Sequence, residues 1–196
     1  RGFRRTGPYR ARFLSELVAA LAERLEALGT RLLIARGDPA RVLAELARAT
    51  GAAAVTCAAE TSPEERAEED ALRAALPSGT RLERADTRSL YPGTALPFVP
   101  ADMPDVFTAF RKAVEKGSRV PAPVPTPERL PGPPGDGSRS SDARPDLDAV
   151  VRAAGGSPGM PDLETLGGPP RQPDPRGVLD FHGGEGAGLG RLEEYV

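Results

Sequence analysis

The sequence predicts an α/β fold with a doubly wound parallel sheet, and three observations support this. Helical and strand-like patterns alternate over residues 1–116. The helices that separate the strand-like runs have about ten to fifteen residues, which is the length of the crossovers that join parallel strands. The chain also opens directly into a helix, whereas a doubly wound sheet usually opens with a strand. We therefore expect the first strand of the sheet to be missing.

The first predicted element is a helix from Ala11 to Leu28. Its apolar residues recur every three or four positions and form one apolar stripe. They are Phe13, Leu14, Leu17, Val18, Leu21, Leu25 and Leu28. Gly29 follows as a C-terminal stop. The next apolar run, within Arg31–Ala35, is short enough for a buried strand.

The same alternation continues along the chain. A second helix is expected from 39 to 50, and Asp38 is positioned to cap its N-terminus. An apolar run over 52–59 predicts a second strand. A third helix is then expected from 63 to 76, and a third strand near 80–84.

Proline and glycine separate residues 117–178 from the rest of the chain. This stretch holds 14 of the 22 prolines and 10 of the 22 glycines, so little regular structure is expected in it. We interpret it as a long Pro/Gly-rich linker, with one short helix expected from Asp146 to Ala154. Residues 179–196 keep helical spacing up to the last residue and predict one helix of an all-α domain. The predicted domains are thus 1–116, 117–178 and 179–196.

Composition excludes several classes of function. The formal charge of -2 gives no large basic field for non-specific nucleic-acid binding. A single cysteine and a single histidine exclude an internal disulfide and a Cys/His zinc site, and they favour a cytoplasmic location. No apolar run approaches the roughly 20 residues that a membrane span requires.

Common catalytic motifs are absent from the sequence. It contains no Walker-type phosphate loop, no Gly-x-Gly-x-x-Gly after a strand and no Gly-x-Ser-x-Gly elbow. The glycine-rich run 183–190 carries no lysine and follows no convincing strand, so a phosphate role is not favoured. His182 is interpreted as a surface histidine, and Cys57 as a small buried hydrophobe. No catalytic or metal-binding residue is predicted.

A group of carboxylates follows the second predicted strand. It consists of Glu60, Glu64, Glu65, Glu68, Glu69 and Asp70. One interpretation is a solvated helix N-terminus, where carboxylates are favoured by the helix dipole. The other is that Glu60 belongs to a ligand site, since doubly wound sheets bind ligands at the carboxyl ends of their strands.

Several stretches resemble one known family. They are RTGPYRARFL at 5–14, RGDPARVLAELARATGAAAV at 36–55, LYPGTALPFVPADMPDVFTAFRKAVE at 90–115 and VLDFHGGEGAGLGRLEEYV at 178–196. In sequence and in order they resemble the photolyase/cryptochrome family, and within it the DASH-type cryptochromes. The Asp-x-Pro-Asp-Val-Phe-Thr-x-Phe-Arg-Lys run is the most specific of these elements. Residues 128–176 depart from the family.

The resemblance implies a Rossmann-like antenna domain followed by a helical domain that binds FAD. The antenna implied is 5,10-methenyltetrahydrofolate, and the activity implied is blue-light repair of cyclobutane pyrimidine dimers, preferentially in single-stranded DNA, by electron transfer from reduced FAD. The implied partners are damaged DNA and the folate, for a protein that acts as a monomer and does not enter the membrane. The flavin-binding and electron-relay residues are expected beyond Val196, so this chain alone is not expected to repair DNA.

By position in the resembling motifs, the antenna contacts would come from Glu60, Glu65 and Asp102. A pterin ring presents adjacent N–H donors, for which a carboxylate is the fitting acceptor. The family often has a histidine after the tyrosine where this chain has Tyr91-Pro92.

Three alternatives stay open from the sequence. A signalling cryptochrome without repair activity would share every feature described above. A small doubly wound nucleotide-binding module would require a phosphate loop, which the sequence lacks. A degraded or misassembled reading frame would account for the unusual linker.

Overall fold

The structure is a computed structural model that describes residues 6–132, 145–168, 176–177 and 180–195. The chain divides into two compact units, one of residues 1–38 with 127–196 and the other of residues 39–126. The helices are α1 (Pro8–Ala27), α2 (Pro39–Thr50), α3 (Pro63–Ala75), α4 (Phe107–Gly117), α5 (Leu147–Ala153), α6 (Leu163–Gly167) and α7 (Glu185–Tyr195). The strands are β1 (Ala35–Arg36), β2 (Ala54–Ala58), β3 (Arg81–Ala85) and β4 (Ser157–Pro158).

The unit of residues 39–126 is built around a parallel pair of strands. β2 and β3 pair in parallel, in register from Ala54 opposite Arg81 to Ala58 opposite Ala85, and α3 connects them. The prediction of parallel strands joined by a helix is confirmed for this pair, and the fuller doubly wound sheet stays a prediction. Helix α2 packs against α3. The buried apolar side chains of these two helices are Val42, Ala44, Ala47 and Leu72.

Helix α1 begins the other unit and ends close to its predicted stop. It spans Pro8–Ala27, and Gly29 follows with a φ of 93°, the left-handed conformation that favours glycine after a helix. α6 packs against the first turns of α1. A Cβ atom on Gly167 would lie 2.6 Å from the Cβ of Ala11, which is fully buried, so this contact requires glycine.

The strand predicted within 31–35 differs from the observed one. β1 contains only Ala35 and Arg36, which are exposed rather than buried, and it pairs antiparallel with β4 rather than parallel. The pairing continues one step further, where the Gly159 N–H donates to the Ile34 carbonyl oxygen at 2.8 Å. Sequence periodicity missed this partner because 157–159 lies in the stretch that we interpreted as a linker.

Part of that predicted linker is regular. The short helix expected from Asp146 is confirmed as α5, and the Asp146 carboxylate accepts hydrogen bonds from two backbone N–H groups of its first turn, both at 3.1 Å. The helix buries Leu147 and Val151, and Ala154 is buried just after it. β4 and α6 were not predicted. A few well-placed apolar residues therefore suffice to pack this segment, whereas 118–132 carries no helix or strand and 133–144 lies outside the described residues.

The helix expected over 179–196 is present as α7. All of its described side chains are exposed to solvent. Over the described part of the chain, no helix has both the length and the apolar character needed to span a membrane.

Candidate functional site

The carboxyl ends of β2 and β3 carry a cluster of charged residues. Glu60 follows β2, while Asp86 and Arg88 follow β3. The parallel pairing reaches one residue past β2, because the Ala59 N–H donates to the Ala85 carbonyl oxygen at 2.8 Å. Ligands of open α/β sheets bind at this edge, so we call these residues the ligand edge.

Glu69, on α3, joins three elements at the ligand edge. Its Oε1 accepts a hydrogen bond from the Glu60 backbone N–H at 2.8 Å, and its Oε2 accepts one from the Arg84 guanidinium of β3 at 3.0 Å. Glu69 is only 7% exposed. The interpretation of this acidic group as a solvated helix N-terminus is therefore wrong for Glu69, although Glu64, Glu65, Glu68 and Asp70 are exposed.

The carboxylate of Glu60 already has a partner. The Arg88 guanidinium donates to Glu60 Oε2, so the charge of this carboxylate is compensated within the ligand edge. The Glu60 side chain is 30% exposed and is accessible to a ligand. Nearby, Asp86 accepts a hydrogen bond from the Gly93 N–H at 3.2 Å, which ties the segment after Tyr91 to the end of β3.

The structure brings two of the three predicted antenna residues to one edge. Glu60 lies between the end of β2 and the start of α3. Glu65 lies in the first turn of α3 and its side chain is exposed. Asp102 comes from a different segment, the 3₁₀ turn Pro100–Asp102, and is exposed. Periodicity could not identify Glu69, Arg84 or Arg88, because their roles depend on contacts between different elements of the fold.

A second charged cluster lies in the other unit, along one side of α1. The Arg12 guanidinium donates to the Asp180 carboxylate and, at 3.2 Å, to the Phe181 carbonyl oxygen. Glu16 Oε2 accepts a hydrogen bond from the Gly183 N–H at 2.7 Å. His182 is exposed, as predicted, and its two ring nitrogens lie 3.4 Å from carboxylate oxygens of Glu16 and Asp180.

The electrostatics of this second cluster follow from the Arg12 contact. The hydrogen bond from Arg12 holds the pKa of Asp180 below the usual 3.8, and its positive charge acts in the same direction. The same contact raises the pKa of Arg12. The cluster therefore fastens the segment before α7 to α1.

An apolar cleft of about 690 Å³ opens beside this cluster. It is lined by one side of α1, including Phe13, Leu17 and Leu21, and by Gly184–Gly186 at the start of α7. Elsewhere, Cys57 in β2 is half-buried, whereas it was predicted to be buried. Among the residues that the structure describes, no three His, Cys, Asp or Glu side chains are grouped so that they could hold a metal ion.

A comparison with protein-family models shows which family the chain belongs to. The family model described as DNA photolyase matches residues 1–128. The chain belongs to the DNA photolyase family. The ligand edge falls within the matched region, whereas the second cluster lies partly outside it.

Relatives of this DNA photolyase-family chain include several proteins named Cryptochrome DASH. It is 39% identical over 196 residues to the Cryptochrome DASH of Gloeobacter violaceus, covering 99% of this chain and 35% of the relative. It is 36% identical over 194 residues to the Cryptochrome DASH of Natronomonas pharaonis, covering 98% of this chain and 37% of the relative. The chain thus spans about a third of the length of these curated relatives.

A solved structure shows the same relationship in three dimensions. The crystal structure of a Synechocystis cryptochrome superimposes with a TM-score of 0.80 at 31% sequence identity, covering 99% of this chain and 36% of that one. The expected resemblance to the photolyase/cryptochrome family is therefore confirmed, and the α/β content matches that of the N-terminal part of such proteins.

Proposed function

We propose that this chain is part of a blue-light-dependent flavoprotein of the DASH cryptochrome type, and that it holds the light-harvesting antenna. The observation that carries the proposal is the similarity to DASH cryptochromes over almost the whole chain. The protein would act in the cytoplasm as a monomer, and sedimentation of the purified protein tests the monomer.

In this proposal FAD belongs to the part of the relatives for which the present chain has no counterpart. When bound and reduced, FAD supplies the electron that splits a cyclobutane pyrimidine dimer, so the cofactor provides the chemistry and the protein provides binding and orientation. Lesions in single-stranded DNA are the favoured substrate, because the dimer is then reached without the cost of extruding it from a duplex.

The proposed antenna is 5,10-methenyltetrahydrofolate. Its pterin ring carries adjacent N–H donors, and the carboxylates of Glu60 and Glu65 are acceptors of the right chemistry at a sheet edge that commonly binds ligands. These acceptors therefore fit the N–H donors of the pterin ring. The Glu60 carboxylate would accept hydrogen bonds from the folate either in place of Arg88 or together with it. Asp102 would supply a further carboxylate acceptor from the 3₁₀ turn.

Folate binding to the purified protein tests the antenna proposal. We expect Glu60→Gln and Glu65→Gln each to weaken binding about 10-fold, because a hydrogen bond to a charged acceptor, roughly 1.5–3 kcal/mol, is replaced by one to a neutral oxygen, roughly 0.5–1.5 kcal/mol. Glu68→Gln is the matched control, since Glu68 is an exposed carboxylate on the same helix and no antenna role is proposed for it. Binding that is unchanged in all three variants would remove these carboxylates from the site.

Repair is tested separately, on the full-length protein. We expect blue light to restore pyrimidines in dimer-containing single-stranded DNA when reduced FAD is bound. If light reduces the flavin and no dimer is split, a signalling photoreceptor replaces repair as the function.

A further inference from the structure

Glu69 is the charged residue that the described part of the chain buries most completely. It lies within α3, which spans Pro63–Ala75, and it is 7% exposed. Both of its carboxylate oxygens face the ligand edge, where one accepts the Glu60 N–H and the other accepts the Arg84 guanidinium. α3, β3 and the residue that follows β2 therefore meet at one carboxylate.

Stability alone is a poor reason for such an arrangement. Removing a carboxylate from water is costly, and a buried ion pair can often be replaced by apolar side chains without loss of stability. Leu72, one helical turn further along α3, is buried and apolar, so this face of the helix accommodates apolar residues. The specific effect of a carboxylate at position 69 is to fix the backbone of Glu60.

Glu60 is consequently held at both its backbone and its side chain. Its N–H donates to Glu69 at 2.8 Å, and its carboxylate accepts from Arg88. A residue that is already ordered loses less conformational freedom when a ligand binds, which increases affinity. Supporting contacts of this kind are what hold a binding group in a productive orientation.

We propose that Glu69 is a positioning residue for the ligand edge, and that it acts on the antenna ligand through Glu60. This inference rests on the proposed function for the identity of the ligand. Glu69 is buried behind Glu60 and need not touch the ligand. Replacing it should therefore affect binding only while the Glu60 carboxylate is present.

Amide hydrogen exchange in the full-length protein tests the contact itself. We expect Glu69→Ala to speed exchange of the Glu60 amide about 10-fold, because this N–H loses a charged acceptor. Glu69→Gln, which keeps an oxygen acceptor, should restore most of the protection. Arg84→Gln is the matched control, since it removes the other partner of Glu69 and leaves the bond to Glu60. A Glu60 amide that exchanges at the same rate in wild type and Glu69→Ala overturns the proposal.

Folate affinity tests the consequence for binding. We expect Glu69→Ala to raise the dissociation constant for 5,10-methenyltetrahydrofolate about 10-fold in the wild-type background and not at all in a Glu60→Gln background. Equal losses in both backgrounds would mean that Glu69 merely supports the fold, which overturns the proposal. If Glu69→Ala does not fold, Glu69→Leu replaces it in both backgrounds, because it also removes both acceptor oxygens while keeping an apolar side chain of similar volume.

Different results would overturn the proposed antenna function and the positioning role of Glu69. A wild-type protein that binds no folate overturns the proposed function and, with it, the role of Glu69 toward that ligand. A wild-type protein that binds folate while Glu69→Ala binds it equally well overturns the positioning role alone.

Discussion

The guanidinium of Arg12, in the second turn of α1, donates a hydrogen bond to the carboxylate of Asp180. The same nitrogen reaches the carbonyl oxygen of Phe181 at 3.2 Å. One side chain therefore fastens both a side chain and the backbone of the segment before α7. Arg12 also lies 3.5 Å from Glu16, which itself holds the Gly183 N–H, so α1 contacts residues 180–183 through two consecutive turns.

The first prediction is a pH dependence of this contact. Because Arg12 lowers the pKa of Asp180 below 3.8, its stabilising effect is present above the pKa of the unfolded chain. It is lost as the pH falls through the lowered pKa of the folded chain. We expect Arg12→Gln to reduce stability more near neutral pH than in strong acid, where only the contact with the Phe181 carbonyl oxygen is left to lose, as measured by urea unfolding at a series of pH values.

The carboxyl resonance of Asp180 provides the direct readout. Its titration midpoint should rise toward the usual value in Arg12→Gln, because the main cause of the lowered pKa is then removed. Arg191→Gln is the control, since Arg191 contacts Glu194 instead. A midpoint for Asp180 that is the same in wild type and Arg12→Gln would contradict the prediction.

Gly183 gives a second prediction for the same segment. A Cβ atom at this position would collide with the Phe13 carbonyl oxygen and lie 2.7 Å from the Leu17 backbone nitrogen. These are backbone atoms of α1 that cannot move aside easily. Gly183→Ala should therefore separate residues 180–183 from α1 and speed hydrogen exchange of the backbone amide at position 183. The control is Gly188→Ala, because a Cβ there meets nothing within 4 Å. In the exposed helix α7 that change should add roughly 0.5–1 kcal/mol of helix stability.

Local patterns were sufficient to predict much of this fold. The apolar stripe and Gly29 located α1, and the apolar run before Ser62-Pro63 located β2 and the start of α3. These signals are carried by neighbouring residues, which is why they can be read without a structure. The pairing of Ala35–Arg36 with 157–158 joins segments far apart in the chain, and no local pattern encodes such a partner.

The candidate site, too, was predictable only where local sequence patterns carry the signal. Glu60 was predicted because its position after a strand places it at the ligand edge. Glu69 looked like one more exposed carboxylate of an acidic helix, and only the fold shows that it faces Glu60 and Arg84. No local pattern indicates the contact of Arg12 either, since its partner Asp180 lies 168 residues away.

Two adjacent valines of α5 test whether this helix is packed as the structure describes. Val151 is fully buried, whereas Val150 is half-buried. Val151→Ala should lower the free energy of unfolding by about 2 kcal/mol, from the loss of buried methyl groups and the cavity left behind. The identical change at Val150 should cost clearly less. Equal and small losses at both positions would indicate that residues 147–153 behave as the linker that composition suggested.

The last prediction concerns an aromatic pair at the start of α4. The rings of Phe98 and Phe110 are tilted by 58° with centroids 5.8 Å apart, a favourable arrangement of two aromatic quadrupoles. Phe110→Leu keeps apolar volume and removes the ring, so we expect it to lower the free energy of unfolding by roughly 0.5–1.5 kcal/mol.

Phe107 supplies the matched control for this pair. It lies on the same helix, its ring stacks on the Phe110 ring with centroids 6.4 Å apart, and it is 72% exposed. Phe107→Leu should therefore cost less than Phe110→Leu. A double-mutant cycle between Phe98→Leu and Phe110→Leu measures the coupling directly, and a coupling free energy of zero would show that the two rings contribute only through the area each one buries.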